Sequence, residues 1–390
     1  MMSNEWPTHH SSLITHHMIA VIADDFTGAA ELAGISLRYG LNVELYTGDV
    51  ASTNADVLIV STDSRSLNKA DALKRTEAAL KSVLQLNPSF IYKKIDSVLR
   101  GYVVDELKLQ MQLMHKSNAF ILPANPSLGR TISNGNYYVQ GKLISETGFA
   151  ADPEFPISHS SVQVILNDDE VQVLKHTDAL PSNGMVVGEA ENETDVRVWA
   201  ENLDERFVLA GAGDFYTALL NKQFKQTNQK QHELQLPFLY VCGTSYDQSV
   251  NYIKQVDENN KTVLYITKQM IENGANDEAW LQQCKNVLQQ KQKAIIAFNS
   301  EAIPADASAS DLRNIMASAV KAVIEQNSIR ELFIEGGSTA TAILQELGVN
   351  HLSPVNELAR GVVRMKAGEL FITVKPGSYE LSKEIKQLFA

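Results

Sequence analysis

Cysteine is almost missing from this chain: Cys242 and Cys284 are the only two among 390 residues. Two widely spaced thiols make no disulfide framework, so both are expected to be reduced and packed, and neither is a good nucleophile candidate. Long apolar runs are missing too. None approaches the roughly 18 residues a membrane helix needs, which excludes a spanning helix. No basic run offsets the net charge of −12, so neither nucleic acid nor a membrane surface is expected as a partner. The opening MMSNEWPTHHSSLITHH lacks the basic start and apolar core of a secretory signal, and a cytoplasmic protein is expected. His9, His10, His16 and His17 have no acid or Cys partners to complete a metal site, so 1–17 is expected to be a flexible, solvated tail.

What is present suits a soluble α/β protein: 44% apolar and 21% charged residues, in a length that suits two domains of roughly 150 to 220 residues. Met18–Ala23 is an unbroken apolar run, as in a strand covered on both faces. It stops at Asp24 and Asp25, after which Thr27 and Gly28 are expected to cap and turn into a helix over Ala29–Tyr39. Two acids thus lie at the carboxyl end of a strand, the edge where open α/β sheets bind ligands. Capping alone would also explain an acid pair, but the same grammar recurs. A strand over Val57–Val60 leads to Asp63 and Arg65, and another over Phe90–Tyr92 leads to Lys94, Asp96 and Arg100. Ala119–Leu122 opens onto a turn-rich loop, 123–135, that carries Arg130 and runs into a hairpin turning near Gln140-Gly141. Val162–Ile165, Gly184–Val187 and Phe207–Ala210 are read as further strands.

Lys225–Leu236 is polar and reads as a linker, giving a first domain over 18–224 and a second over 237–390. The second domain repeats the α/β pattern with strands over Phe238–Cys242, Thr262–Ile266, Ala294–Phe298 and Leu332–Glu335, and a late strand pair over Gly361–Met365 and Leu370–Val374. Here the strand ends carry small residues: Gly243-Thr-Ser245, Gly336-Gly337-Ser338-Thr339 before a helix, and Lys375-Pro-Gly377-Ser. A strand, Gly-Gly-Ser-Thr and a helix aim backbone N–H groups at an anion. Neither a P-loop nor a G-x-G-x-x-G fingerprint is present. Charged strand ends in one half and small ones in the other suggest a small charged substrate facing a nucleotide, the geometry of phosphoryl transfer.

The set ADDFTGA (23–29), KKIDSVLRG (93–101), PANPSLGR (123–130), GGST (336–339) and KPGS (375–378) resembles the four-carbon acid sugar kinase family over nearly the whole chain. The resemblance implies two α/β domains with largely parallel sheets, one for the sugar acid and one for ATP, an active site in the cleft between them, and phosphorylation of a terminal hydroxyl of threonate, erythronate or 3-oxo-tetronate. Its ATP contacts fall on Ser245, Gly336, Gly337, Ser338, Thr339 and Gly377, with Lys375 as a cation beside them. On the substrate side are Asp63, Arg65, Lys94, Asp96, Arg100 and Arg130. Asp25 is expected to be the base that takes the hydroxyl proton, with Asp24 capping the helix or holding the loop, while Lys94, Arg100, Arg65 and Arg130 hold the carboxylate and the transferred group. Mg²⁺ should arrive with ATP and keep several waters; its protein contacts stay open. A homo-oligomer is allowed for. Val98, Ala30-Glu31-Leu32 and Ser338 depart from the family pattern and bear on which sugar acid is taken. A nicotinamide-dependent oxidoreductase and a non-catalytic sugar-acid sensor are the rival readings, separable by NADH binding and by ligand binding without ATP turnover.

Overall fold

In the computed structural model, β1 (Ile19–Ala23) is buried along its whole length. The structure describes residues 18–152, 155–227, 233–274, 277–304, 306–377 and 379–390, so the tail expected over 1–17 lies outside them. In the first half β1 is followed by α1 (Phe26–Leu37), β2 (Val43–Tyr46), β3 (Val57–Ser61), α2 (Lys69–Leu84), β4 (Phe90–Lys94), α3 (Val103–Leu113) and β5 (Asn118–Leu122). A small antiparallel sheet comes next, β6 (Arg130–Ser133), β7 (Asn136–Val139) and β8 (Lys142–Leu143). Then follow α4 (Val162–Leu166), β9 (Val171–Leu174), β10 (Gly184–Gly188), α5 (Glu193–Asn202), β11 (Phe207–Gly211) and α6 (Gly213–Asn221).

The second half runs β12 (Phe238–Cys242), α7 (Asp247–Asn260), β13 (Val263–Ile266), α8 (Lys268–Asn273), α9 (Glu278–Lys291), β14 (Lys293–Phe298), α10 (Ala309–Gln326), β15 (Glu331–Glu335), α11 (Gly337–Glu346), β16 (His351–Ala359), β17 (Val362–Ala367), β18 (Leu370–Lys375) and α12 (Lys383–Leu388). Of the expected linker, 228–232 lies outside the described residues, and 225–227 and 233–236 form neither helix nor strand.

The two halves share one sheet of 15 strands in the order β13-β14-β12-β15-β18-β17-β16-β2-β3-β1-β4-β11-β5-β10-β9. Along this order pairing is parallel from β13 to β18 and from β2 to β9, and antiparallel at β18–β17, β17–β16 and β16–β2. Three reversals leave β15 and β1 formally opposed. Six pairings separate them, however, and at a twist of about 20–25° each the sheet turns by roughly 120–150°, which swings the two carboxyl edges toward each other. Helix α1 crosses the seam: Arg38 near its end forks onto Glu357 of β16 at 2.7 and 2.8 Å, and a Cβ on Gly34 would come within 2.8 Å of Val363 on β17.

The expectation of a strand at Val162–Ile165 is wrong. That segment is α4, which buries Val162 and Leu166, one helical turn apart, and ends at Asn167 in the left-handed region with φ 50°. The neighbouring strand, β9, is only partly buried and the long β16 alternates, and a search for continuous apolar runs passes over both. The late strand pair and the turn at Gln140-Gly141 are as expected, the latter with positive φ at both residues, as a two-residue hairpin requires.

Inside the second half, Arg364 on β17 reaches across β18 to Glu331 on β15 through two 2.7 Å hydrogen bonds, with both side chains almost wholly out of water and the guanidinium over Phe371. Such a pair is costly to break and cheap to replace whole. Glu331→Ala should lower unfolding stability by about 3–5 kcal/mol, while Glu331→Leu with Arg364→Met should recover most of it. Urea unfolding checks this; equal losses in both variants would count against it.

Candidate active site

Asp24 and Asp25 follow β1, and the structure divides their work differently from expectation. Asp25 is the residue that caps α1: its Oδ1 accepts the Gly28 N–H at 2.9 Å and its Oδ2 accepts the Thr27 hydroxyl. The cap assigned to Asp24 or Thr27 therefore belongs to the acid expected to be the base. Arg65, brought in from the end of β3, donates to Asp24 at 3.1 Å and lies 2.6 Å from Asp25 and 3.4 Å from Asp96. Asp24 is the more enclosed of the pair, its side chain 6% exposed against 20% for Asp25. Burial, aided by the Asp25 charge, raises the Asp24 carboxyl above its ordinary value despite Arg65. Burial also works against a charged Asp25, but Arg65, Lys94 and the Thr27 hydroxyl outweigh it and hold that carboxyl low.

Lys94, at the end of β4 beside β1, lies 3.5 Å from Glu31 of α1 and donates to the Ile95 carbonyl at 3.0 Å. Burial opposes its charge, yet Glu31, Asp25 and Asp24 together raise its pKa. Asp63 takes a positive φ of 48° just past β3, and burial together with Asp25 raises its carboxyl. Arg100 was expected to offer its fork to the substrate. Instead the fork is closed on Asp96, at 2.8 and 3.0 Å, and its third nitrogen is on Asp152 at 2.7 Å. Arg65 and Arg100 hold Asp96 well below the usual carboxylate range despite its burial. Arg130 begins β6, donates to the Ser97 hydroxyl and lies over the Phe149 ring.

In the other half, the ends of β12, β15 and β18 converge. A Cβ on Gly243 would collide with Thr339, and one on Gly377 would come within 2.7 Å of the Thr244 hydroxyl. Gly336, with φ 110°, turns β15 into α11, so the expected Gly336, Gly337, Ser338 and Thr339 form the helix start. Beside them opens a cavity of about 590 Å³ lined by Ser245, by the apolar Val250, Phe298, Leu312 and Met316, and by the charged Lys254 and Arg313. Such a space, lined both by an anion-friendly helix start and by apolar side chains, fits a nucleotide. Cys242 lines it as well, and burial pushes that thiol up to about 12, so it stays protonated.

Lys375 does not supply the expected cation. Its amine is fully buried 2.9 Å from Glu335 and also donates to the carbonyls of Pro376, at 3.0 Å, and of Tyr379. Glu335 in turn accepts from Tyr240 and Ser249. The pair ties Pro376 and Tyr379 to the strand edge, and the groups left open there are the small residues.

The two clusters meet. A Cβ on Gly337, at the start of α11, would lie 2.7 Å from the Thr27 methyl, at the start of α1. Arg360, in the turn after β16, reaches Asp214 at 3.1 Å and Ser127 in the loop before Arg130. The Tyr379 ring lies against Gly361, and the charges on Glu31, Arg130, Lys94 and Arg360 act on its hydroxyl. Sequence reasoning gave no site role to Glu31, Ser97, Asp152, Arg360 or Tyr379. Glu31 had a usable signal, a lone acid within the small and apolar segment FTGAAELAG, and Ser97 lies within KKIDSVLRG beside Asp96; Asp152, Arg360 and Tyr379 had none nearby.

Comparison with known proteins fits this division. Residues 19–219 match a family described as a sugar-binding N-terminal domain, and 218–379 one described as a nucleotide-binding C-terminal domain. A D-threonate kinase from Salmonella typhimurium is 28% identical, over 92% of this chain and 94% of its own. A 3-oxo-tetronate kinase from Haemophilus influenzae is 23% identical, over 93% and 97%. The crystal structure of a Haemophilus influenzae protein shares the fold with a TM-score of 0.73 at 19% identity, covering 95% of this chain and 98% of that one. Carrying both domain types in this order along nearly its whole length, the chain belongs to the four-carbon acid sugar kinase family.

Proposed function

We propose that this protein transfers the γ-phosphoryl group of ATP to the terminal hydroxyl of a four-carbon sugar acid, with threonate, erythronate and 3-oxo-tetronate as the candidate substrates. The observation that carries the proposal is the contact of Gly337 with Thr27: it sets the anion-binding start of α11 directly against the acid edge of β1. ATP, whose base would enter the 590 Å³ cavity, supplies the phosphoryl group. The Gly336–Thr339 backbone and Ser245 would receive its phosphates, and Gly377 leaves them room. The donors on the acid edge are carboxylate oxygens, the ligand type Mg²⁺ takes. Among the described residues no group of three or more His, Cys, Asp or Glu is placed to hold a metal. Mg²⁺ is therefore proposed to come with ATP and to keep its waters.

Asp25 is the proposed base. It is the more open acid, it holds the Thr27 hydroxyl, and Thr27 is the residue that touches Gly337. Its low pKa suits a base that takes the proton late, once the attacking oxygen has begun to bond to phosphorus. Asp24, turned into Arg65, positions that guanidinium. Replacing a base by its amide keeps the shape and removes proton acceptance, so Asp25→Asn should lower kcat by about 10² or more with sugar-acid and ATP affinities within a few fold. Asp24→Asn should act mainly on stability or sugar-acid affinity. An active Asp25→Asn beside a folded, ligand-binding but inactive Asp24→Asn would reverse the two roles.

Gly337→Ala should weaken ATP binding by about tenfold or more, because the added methyl meets Thr27 and moves the helix start. Thr27→Ser deletes that methyl partner and keeps the hydroxyl on Asp25, so the double variant should regain part of the loss in calorimetry. ADP release in a coupled assay across the four-carbon acids, both stereochemical series and the oxo forms, tests the whole proposal; no release with any of them defeats it.

A further inference from the structure

We infer that Arg130 is the seat of the substrate's carboxylate, and that the acid therefore lies with its carboxylate end toward Arg130 and its terminal hydroxyl toward Asp25. The inference rests on the sugar-acid kinase proposal above and adds which cation reads the acid.

Of the four cations expected on the substrate side, the chain has already paired three. Arg65 is shared by Asp24, Asp25 and Asp96; Arg100 is forked on Asp96 and bound to Asp152; Lys94 faces Glu31. A carboxylate arriving at any of these must displace an acid that the fold holds in place, and it meets that acid's repulsion on the way. Arg130 differs. Among the described residues its guanidinium meets no carboxylate, only the Ser97 hydroxyl and the face of Phe149 at 5.8 Å. One nitrogen is used, and the remaining donors can receive a carboxylate in the two-point geometry that guanidinium favours.

Its position is prepared rather than loose. Asn125 and Arg130 exchange backbone hydrogen bonds at 2.8 and 3.2 Å, closing the loop between them. Ser127 within that loop donates its N–H to Asp214 at 2.9 Å, and Arg360 from the nucleotide-binding half joins the same carboxylate. The Phe149 ring lies beside the guanidinium and is shared with Arg100, which is 5.5 Å from its centroid. Lys94, which lies with Asp25 beside Gly28, shares its charge with Glu31, so that place suits a hydroxyl better than a second carboxylate.

Calorimetry with threonate and erythronate of both stereochemical series, 3-oxo-tetronate and the primary carboxamide of each tests this without turnover, because the amide keeps the shape and removes the charge. Wild type should bind the preferred acid more tightly than its amide. Arg130→Gln should weaken acid binding by about 10- to 100-fold, the range for lost hydrogen bonds to a charged group, and leave the amide within about twofold. Arg130→Lys should fall between. Unchanged ATP affinity shows that a variant is folded, and if Arg130→Gln fails that check, Arg130→Lys decides on the same ratio. A folded variant that prefers acid over amide as strongly as wild type overturns the inference and leaves the kinase proposal standing. Wild type that binds none of these acids overturns both.

Discussion

Three carboxylates converge on one guanidinium, and the acid edge exists because of it. Asp24, Asp25 and Asp96 end two neighbouring strands of one parallel sheet, and without Arg65 between them their mutual repulsion and desolvation would favour protonation or a different fold. Arg65 is delivered by a third strand, β3, which flanks β1 on the side opposite β4. Strand order, which looks like a matter of hydrophobic runs, is thus also a charge arrangement: the cation must come from a neighbour of β1, and it does. Arg100 and Lys94 extend the same logic outward, each matched to an acid, until the pairing stops at Arg130.

This matching explains what could be read from the sequence and what could not. Strand ends advertise themselves, because an apolar run that stops at Asp, Lys or Gly marks a carboxyl edge, and Asp24, Asp25, Lys94, Gly336 and Gly337 all lie where that pattern places them. Residue type does not disclose pairing. Arg100 finds Asp152 and Arg65 finds Asp24 over separations of 52 and 41 residues, and nothing local marks either acid as a partner. Lys375 misled for the same reason: a lysine before Pro-Gly reads as a phosphate cation until Glu335, from a neighbouring strand, takes it out of solvent. Asp25 shows a subtler gap. Capping and proton transfer were assigned to different acids, whereas one carboxylate with two oxygens has room for both duties.

The two clusters could be assigned to separate halves from composition alone, but their contact could not. It depends on the accumulated twist of six strand pairings and on the absence of a side chain at Gly337, which lets two helix starts face one another. Positive helix ends brought together repel, and an anion between them relieves the repulsion. A phosphorylated partner bound as proposed would therefore be met largely by backbone groups.

The seam between β2 and β16 carries a different consequence. Only Tyr46 and Leu45 pair there with His351 and Leu352, and the Tyr46 ring stacks on His351 at 4.4 Å. Each strand closes the other's open edge, so neither half, produced alone, would keep those backbone groups satisfied. An isolated half would present a bare strand edge, the surface through which sheet proteins recruit copies of themselves and aggregate. Carrying both halves on one chain supplies each edge with its cover at an effective concentration no separate partner could match.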